Sequence, residues 1–169
     1  MFCTDPPYAK SERGIDSFAE ELRRMIAFLE KHTGAFLDAA RLQETVRESN
    51  KQYGLWAEYN ELRRAVPSPR GAARGARAWN VAQNFMVGDP KGTDWFEQLV
   101  RLTEQDVREG RCDTPDEKIR LFWFDVHPVW FRELIQWLRE EWRACIVMDM
   151  LAYTPYTPID TSSEESILR

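Results

Sequence analysis

Three stretches of this chain carry side chains suited to holding a ligand. The first, "DVHPVW", sets Asp125, His127 and Trp130 within one short turn: a carboxylate, an imidazole and an indole. The second starts at Asp149 and runs into "LAYTPYTP", where Tyr153 and Tyr156 lie in a proline-stiffened loop. The third is basic. From Leu62 to Gly88 there is no acidic residue, whereas Arg63, Arg64, Arg70, Arg74 and Arg77 cluster there. Arg70, Arg74 and Arg77 make this a candidate anion site, for a phosphate-bearing ligand or an acidic partner surface.

Each feature also has a plainer reading. Asp125 suits a helix cap, since a carboxylate before a helix satisfies free N–H groups. His127 beside Pro128 suits a simple turn, and Pro128 suits a first helical turn. Trp130, Trp137 and Trp142 can fill core and edge. Asp149 can bond backbone at a strand end. The arginines can form a solvated patch paired with acids elsewhere. No residue is assigned a catalytic role, and no metal ligand is assigned.

The elements that must position these groups follow from periodicity. Ile15, Phe18, Leu22, Ile26 and Leu29 recur at three- and four-residue steps, and Gly34 is a stop signal. A second helix is expected from Asp38, as N-cap, to about Ala65. Its apolar stripe reads Leu42, Val46, Asn50, Tyr53, Ala57, Asn60, with the two asparagines flanking the interface or bonding backbone. "VPSPRGAARG" forbids a continuous helix. Trp79, Ala82 and Phe85 suggest a third helix ending near Gly88. Asp94 and Glu97 resemble a capping box opening a fourth, which fades at Gly110.

"IRLFWF" is an apolar run expected of a strand buried on both faces. Phe131, Leu134, Ile135 and Leu138 have helical spacing, and "ACIVMDM" reads as a second buried strand. Strand, helix and strand over residues 119–150 have the length of one βαβ unit, which builds a parallel sheet. No GxGxxG follows the first strand, so a dinucleotide fingerprint is rejected. In open α/β sheets ligands bind beyond the carboxyl ends of strands. That rule puts Asp125, His127 and Trp130 at one strand end, and Asp149, Tyr153 and Tyr156 at the other.

The 169 residues are 43% hydrophobic and 30% charged, the mixture of a globular chain. A net charge of −5 argues against a nucleic-acid binder. No apolar run approaches the roughly 18 residues of a membrane span, and the N-terminus lacks the pattern of a signal peptide. Cys3, Cys112 and Cys145 are odd in number and widely spaced, so they form neither a disulfide framework nor a metal knuckle. With only His32 and His127 besides, a zinc site is not expected. A reducing, cytoplasmic compartment is expected. "MFCTD" reads as the tail of a strand. "IDTSSEESILR" reads as a helix start, with Thr161 and Ser162 each followed by Glu three residues later. Both ends therefore suggest a slice of a larger two-domain subunit, or a chain completed by another polypeptide.

Taken in order, several segments resemble the subunits of the 2-hydroxyacyl-CoA dehydratase and benzoyl-CoA reductase family, especially the smaller-component type. These are "FCTDPPY", "ELRRMIAFLEKHTG", "LQETVRESN", "LRRAVPSPRGA", "EKIRLFWFDVHPVWF" and "MDMLAYTPYTPIDTSSEESILR". The resemblance covers nearly the whole chain. It implies an α/β fold in which residues 1–8 end a first α/β domain, residues 9–111 form a helical linker region, and residues 112–169 begin a second, Rossmann-like or flavodoxin-like parallel sheet.

The resemblance also implies an oxygen-sensitive radical enzyme. Two related subunits would each hold a 4Fe-4S cluster through cysteines, and a separate ATP-dependent activator would inject one electron. In the dehydratase branch a (R)-2-hydroxyacyl-CoA loses water to give a 2-enoyl-CoA; the reductase branch reduces an aromatic acyl-CoA. The expected partners are a related second subunit, the activator and a CoA-thioester substrate. The cysteines depart from the pattern. Cys3 and Cys145 fall in expected strands and Cys112 in a polar connector, so the cluster ligands are expected outside this chain. The alternative is a non-catalytic module that binds a partner subunit.

Overall fold

The computed structural model describes residues 2–8, 11–69, 78–124, 131–149 and 156–169. The chain divides into two compact units, residues 1–47 with 158–169, and residues 48–157.

In the first unit, α1 spans Glu12–Thr33. Ser11 caps it, its Oγ accepting from the Gly14 N–H at 3.1 Å. Gly34 ends it at φ 72°, a conformation that costs glycine little, and its N–H returns to the Glu30 carbonyl. The predicted stripe is half-buried, apart from exposed Leu29; Ala19 is buried. The expected strand over "MFCTD" is not formed, since residues 2–7 are irregular and Cys3 is exposed.

A short helix, α5, covers Glu164–Leu168. Its cap is Ser163, whose Oγ accepts from Ser166 N–H at 3.0 Å, rather than Thr161 or Ser162. Ser162 is instead tied to Asp160 through both its N–H and its hydroxyl. Arg169 pairs with Glu12 and Asp16, and Arg23 with Glu165, so charges join α5 to α1. These pairs are solvent-exposed, and screening by water leaves each of them little weight in stability.

The boundary between the units falls within α2, Ala39–Leu62. Asp38 Oδ1 accepts from Ala40 and Arg41, the cap the sequence predicts. The buried face is not the predicted one. Glu48, Gln52, Trp56 and Tyr59 are buried, whereas Ala57 is exposed and Asn50, Tyr53 and Asn60 are half-buried. The helix is rotated by about one position because its polar residues are satisfied from outside. Gln52 Nε2 donates to the carbonyls of Met86 and Asp89 at 3.0 and 2.8 Å, and its Oε1 accepts from Gly88 N–H at 3.1 Å. Glu48 accepts from the Thr93 hydroxyl at 2.7 Å and pairs with Lys51. A buried polar group with all its bonds made costs little, so a face with Glu and Gln in it can point inward.

Those bonds hold the turn that leads into α3, Pro90–Arg108. The helix starts before the Asp94–Glu97 pair that suggested a capping box. Asp89 is the cap, its Oδ1 accepting from Lys91 N–H at 2.9 Å, and Pro90 fills the first helical position where no N–H is needed. Before it, residues 78–80 are α-helical and Val81–Phe85 continue as a π-helix, the third helix expected around Trp79, Ala82 and Phe85. Trp56, Tyr59, Ala78, Ala82, Phe96, Leu99 and Val100 make the core. Burying one such large side chain contributes roughly 1.5–3 kcal/mol.

The remainder of the second unit is the predicted strand–helix–strand unit. β1 is Ile119–Trp123, α4 is Arg132–Trp142 and β2 is Ala144–Asp149. The strands pair parallel, from Ile119 opposite Ala144 to Trp123 opposite Asp149, with an irregularity between Leu121 and Phe122. Arg143, at φ 52°, joins α4 directly to β2. β2 is mostly buried, as expected. β1 is not buried on both faces: Phe122 is 56% exposed and Ile119 40%. Among the described residues β1 pairs only with β2, and it leaves Phe122 exposed while Leu121 and Trp123 are half-buried.

Candidate functional site

Of the predicted ligand-facing residues, the structure describes Asp149 and Tyr156. Asp125, His127, Trp130 and Tyr153 lie outside the described residues, as do Arg70, Arg74 and Arg77. Asp149 closes β2 at the carboxyl end of the sheet, opposite Trp123, and is fully buried. Tyr156 is held against α2. Its hydroxyl donates to the Asn50 carbonyl at 2.6 Å, and its ring stacks on Tyr53 with centroids 5.7 Å apart and planes within 6°. Tyr53 in turn accepts from the Gln83 amide. Burial pushes both phenols above their ordinary range. The pair is a closed aromatic clasp between Tyr156 and the middle of α2, in which both hydroxyls are engaged.

The amino end of the sheet is built differently. A small cavity of about 90 Å³ lies against the start of β2, lined by Ser68, Ile135, Leu138, Cys145 and Ile146 among others. Burial pushes the Cys145 thiol up, partly opposed by the neighbouring Ser68 side chain and by the charges of Arg120 and Arg63. Ser68 is buried; its hydroxyl donates to the Arg63 carbonyl at 3.0 Å and its N–H donates to Glu117 at 3.0 Å. Glu117 pairs with Arg120 as well. Arg120, from β1, donates to the carbonyls of Ala65, Arg64 and Arg63 at 3.0, 3.1 and 3.4 Å. These are the carbonyls just past the end of α2, where a cation also meets the negative end of the helix dipole.

Arg63 is the residue that sequence reasoning passed over. It was one of a basic cluster, yet its side chain is 1% exposed. Nη1 donates to Asn60 at 3.2 Å, and the guanidinium lies 5.6 Å from the Tyr59 ring centroid. Its Nε and Nη2 have no hydrogen-bond partner among the described residues. The available signal was helical spacing: Glu48, Gln52, Trp56, Tyr59 and Arg63 lie on one face.

The three thiols do not fit an iron–sulfur cluster, which takes four thiolates in the usual case. Cys3 is exposed on irregular chain, Cys112 is half-buried where its backbone pairs with Pro69, and Cys145 is buried in β2. Burial raises the thiols of Cys112 and Cys145, and Glu117 adds to the rise in both. That is the reverse of what ligation needs. Among the described residues no three Cys, His, Asp or Glu side chains converge.

A helical region leading into a parallel strand–helix–strand unit defines a mixed α/β protein. The family model described as 2-hydroxyglutaryl-CoA dehydratase, D-component, matches residues 1–169, so the chain belongs to that family. The family is a dehydratase component that works with other subunits of a 2-hydroxyacyl-CoA dehydratase-type enzyme. Comparison with curated proteins found no match, and comparison with solved structures found none. Among the described residues no helix is long and apolar enough to cross a membrane.

Proposed function

We propose that this chain serves as a subunit of a radical 2-hydroxyacyl-CoA dehydratase in the cytoplasm. The observation that carries the reading is the family match over the whole chain. The reaction removes hydroxide from C2 and a proton from C3 of a (R)-2-hydroxyacyl-CoA, leaving a 2-enoyl-CoA and water. One electron, supplied by an ATP-dependent activator, converts the thioester carbonyl to a ketyl radical that expels the hydroxide. The electron is recovered when the product forms, so the net reaction is a dehydration. In this reading Asp125, His127, Trp130, Asp149, Tyr153 and Tyr156 belong to the thioester site, buried Asp149 and clasped Tyr156 as its framework rather than as direct contacts, and Arg70, Arg74 and Arg77 meet the CoA phosphates or the activator. The 4Fe-4S cluster of such a subunit would be held by ligands other than Cys3, Cys112 and Cys145.

The test is an anaerobic assay that combines this chain, a related second subunit, the activator, ATP and a (R)-2-hydroxyacyl-CoA, with 2-enoyl-CoA measured by chromatography. Turnover that needs this chain is expected. Equal turnover without it sinks the reading.

The scattered thiols favour a second reading, a non-catalytic module that binds a partner subunit. It predicts a stable complex in which the chain is dispensable for turnover. The benzoyl-CoA reductase branch has no comparable observation in its favour.

A further inference from the structure

Among the described residues the buried guanidinium of Arg63 has no ion-pair partner. Its plane is fixed by Asn60 on Nη1 and by the Tyr59 ring on one face. The two unsatisfied nitrogens, Nε and Nη2, share one edge of the guanidinium. That edge is the fork that receives two oxygens of an oxyanion through parallel hydrogen bonds. The buried carboxylate of this neighbourhood, Glu117, is already committed, one oxygen to Arg120 and the other to the Ser68 N–H. Enclosing a cation without a partner costs several kcal/mol, a cost that an anionic occupant on this edge would relieve.

We propose that the Nε–Nη2 edge of Arg63 is a binding site for the carboxylate of a small organic acid. Charge selects this class. Arg63 carries a single positive charge, and Arg120 is neutralised by Glu117. A carboxylate balances that charge, whereas a phosphate dianion would leave an excess negative charge out of water. The planar two-oxygen group also matches the planar fork. The guanidinium is closed to solvent, so the acid reaches it through local opening of the surrounding chain. The site stands on Arg63 and its neighbours alone and is independent of the dehydratase reading.

The test is titration of the full chain with acetate and with glutarate at constant ionic strength, against chloride and inorganic phosphate. The readout is the Arg63 Nε–H resonance, assigned through bonds from the Arg63 backbone so that no variant is required. A saturable shift of this resonance with carboxylate is expected, with a rise in melting temperature of about 2–4 °C near saturation. Arg63→Met should lose the rise, and Arg63→Lys, which keeps the charge without the fork, should lose most of it. A stationary resonance overturns the proposal, as does an equal shift with chloride. Phosphate binding at least about tenfold tighter than either carboxylate overturns the assignment of ligand class.

Discussion

The Tyr156 hydroxyl donates to the Asn50 main-chain carbonyl, 106 residues earlier, at 2.6 Å. The bond fastens the segment after β2 to α2, and the stacked Tyr53 ring shields it. Tyr156→Phe keeps the stack and removes the bond, so it should cost about 0.5–1.5 kcal/mol. Tyr156→Ala removes both and should cost more. Urea denaturation of the three proteins measures the difference, and equal midpoints for wild type and Tyr156→Phe would mean the bond contributes nothing.

Two helical glycines should respond in opposite directions to alanine. A Cβ at Gly92 would sit 2.7 Å from Gln52 Nε2, 2.7 Å from the Met86 carbonyl oxygen and 2.9 Å from Met86 Cβ. Two of those atoms belong to the bonded turn itself, so Gly92→Ala should destabilise by about 1–3 kcal/mol. Gly54, within α2, has nothing within 4 Å of that position. Gly54→Ala should stabilise by roughly 0.5–1 kcal/mol through helix propensity. Thermal melts of the two variants decide it.

Glu48 sets a pH dependence. Its hydrogen bonds with Lys51 and then Thr93 hold its carboxyl below the ordinary glutamate range, against the opposing effect of burial. The folded state therefore binds this proton less readily than the unfolded chain. The resulting stability is present above the unfolded value of about 4.3 and is lost as pH falls through the lower folded value. Glu48→Gln should flatten the acid limb of a melting-temperature profile below about pH 4.3. Asp160, lowered chiefly by the Ser162 N–H, should leave a residual slope of the same sign. An unchanged limb in Glu48→Gln would remove Glu48 from the account.

Thiol chemistry should follow burial. In the native chain at about pH 7.5, iodoacetamide should label exposed Cys3 at least about ten times faster than buried Cys145. Mass spectrometry of quenched samples reads the order.

Anaerobic incubation of the chain with iron and sulfide should give no stoichiometric 4Fe-4S chromophore, because the three thiols do not converge. A stable brown protein with four irons per chain would show that the thiols rearrange to bind.

Much of this fold was legible in the residues. Apolar spacing and Gly34 bounded α1, and two β-like runs separated by a helical one marked β1, α4 and β2 and implied their parallel pairing. The buried face of α2 was not legible, because Glu48 and Gln52 read as solvent-facing until their partners at Met86–Thr93 are known. The start of α3 was misplaced because the local Asp-Pro cap outcompetes a capping-box pattern a turn later. Apolarity alone also overstated the burial of β1: a run of large side chains marks a strand, but its cover comes from other segments. As for the site, the basic cluster in the sequence could not single out Arg63, whose burial depends on the helix rotation that the apolar stripe missed.

The grip of Arg120 on the Arg63, Arg64 and Ala65 carbonyls makes two distant stretches of chain mechanically one. If the strand peels away, the helix end is left with bare acceptors; if the helix end frays, the strand loses its tether. Neither can loosen privately, so amide exchange across both should rise and fall in concert.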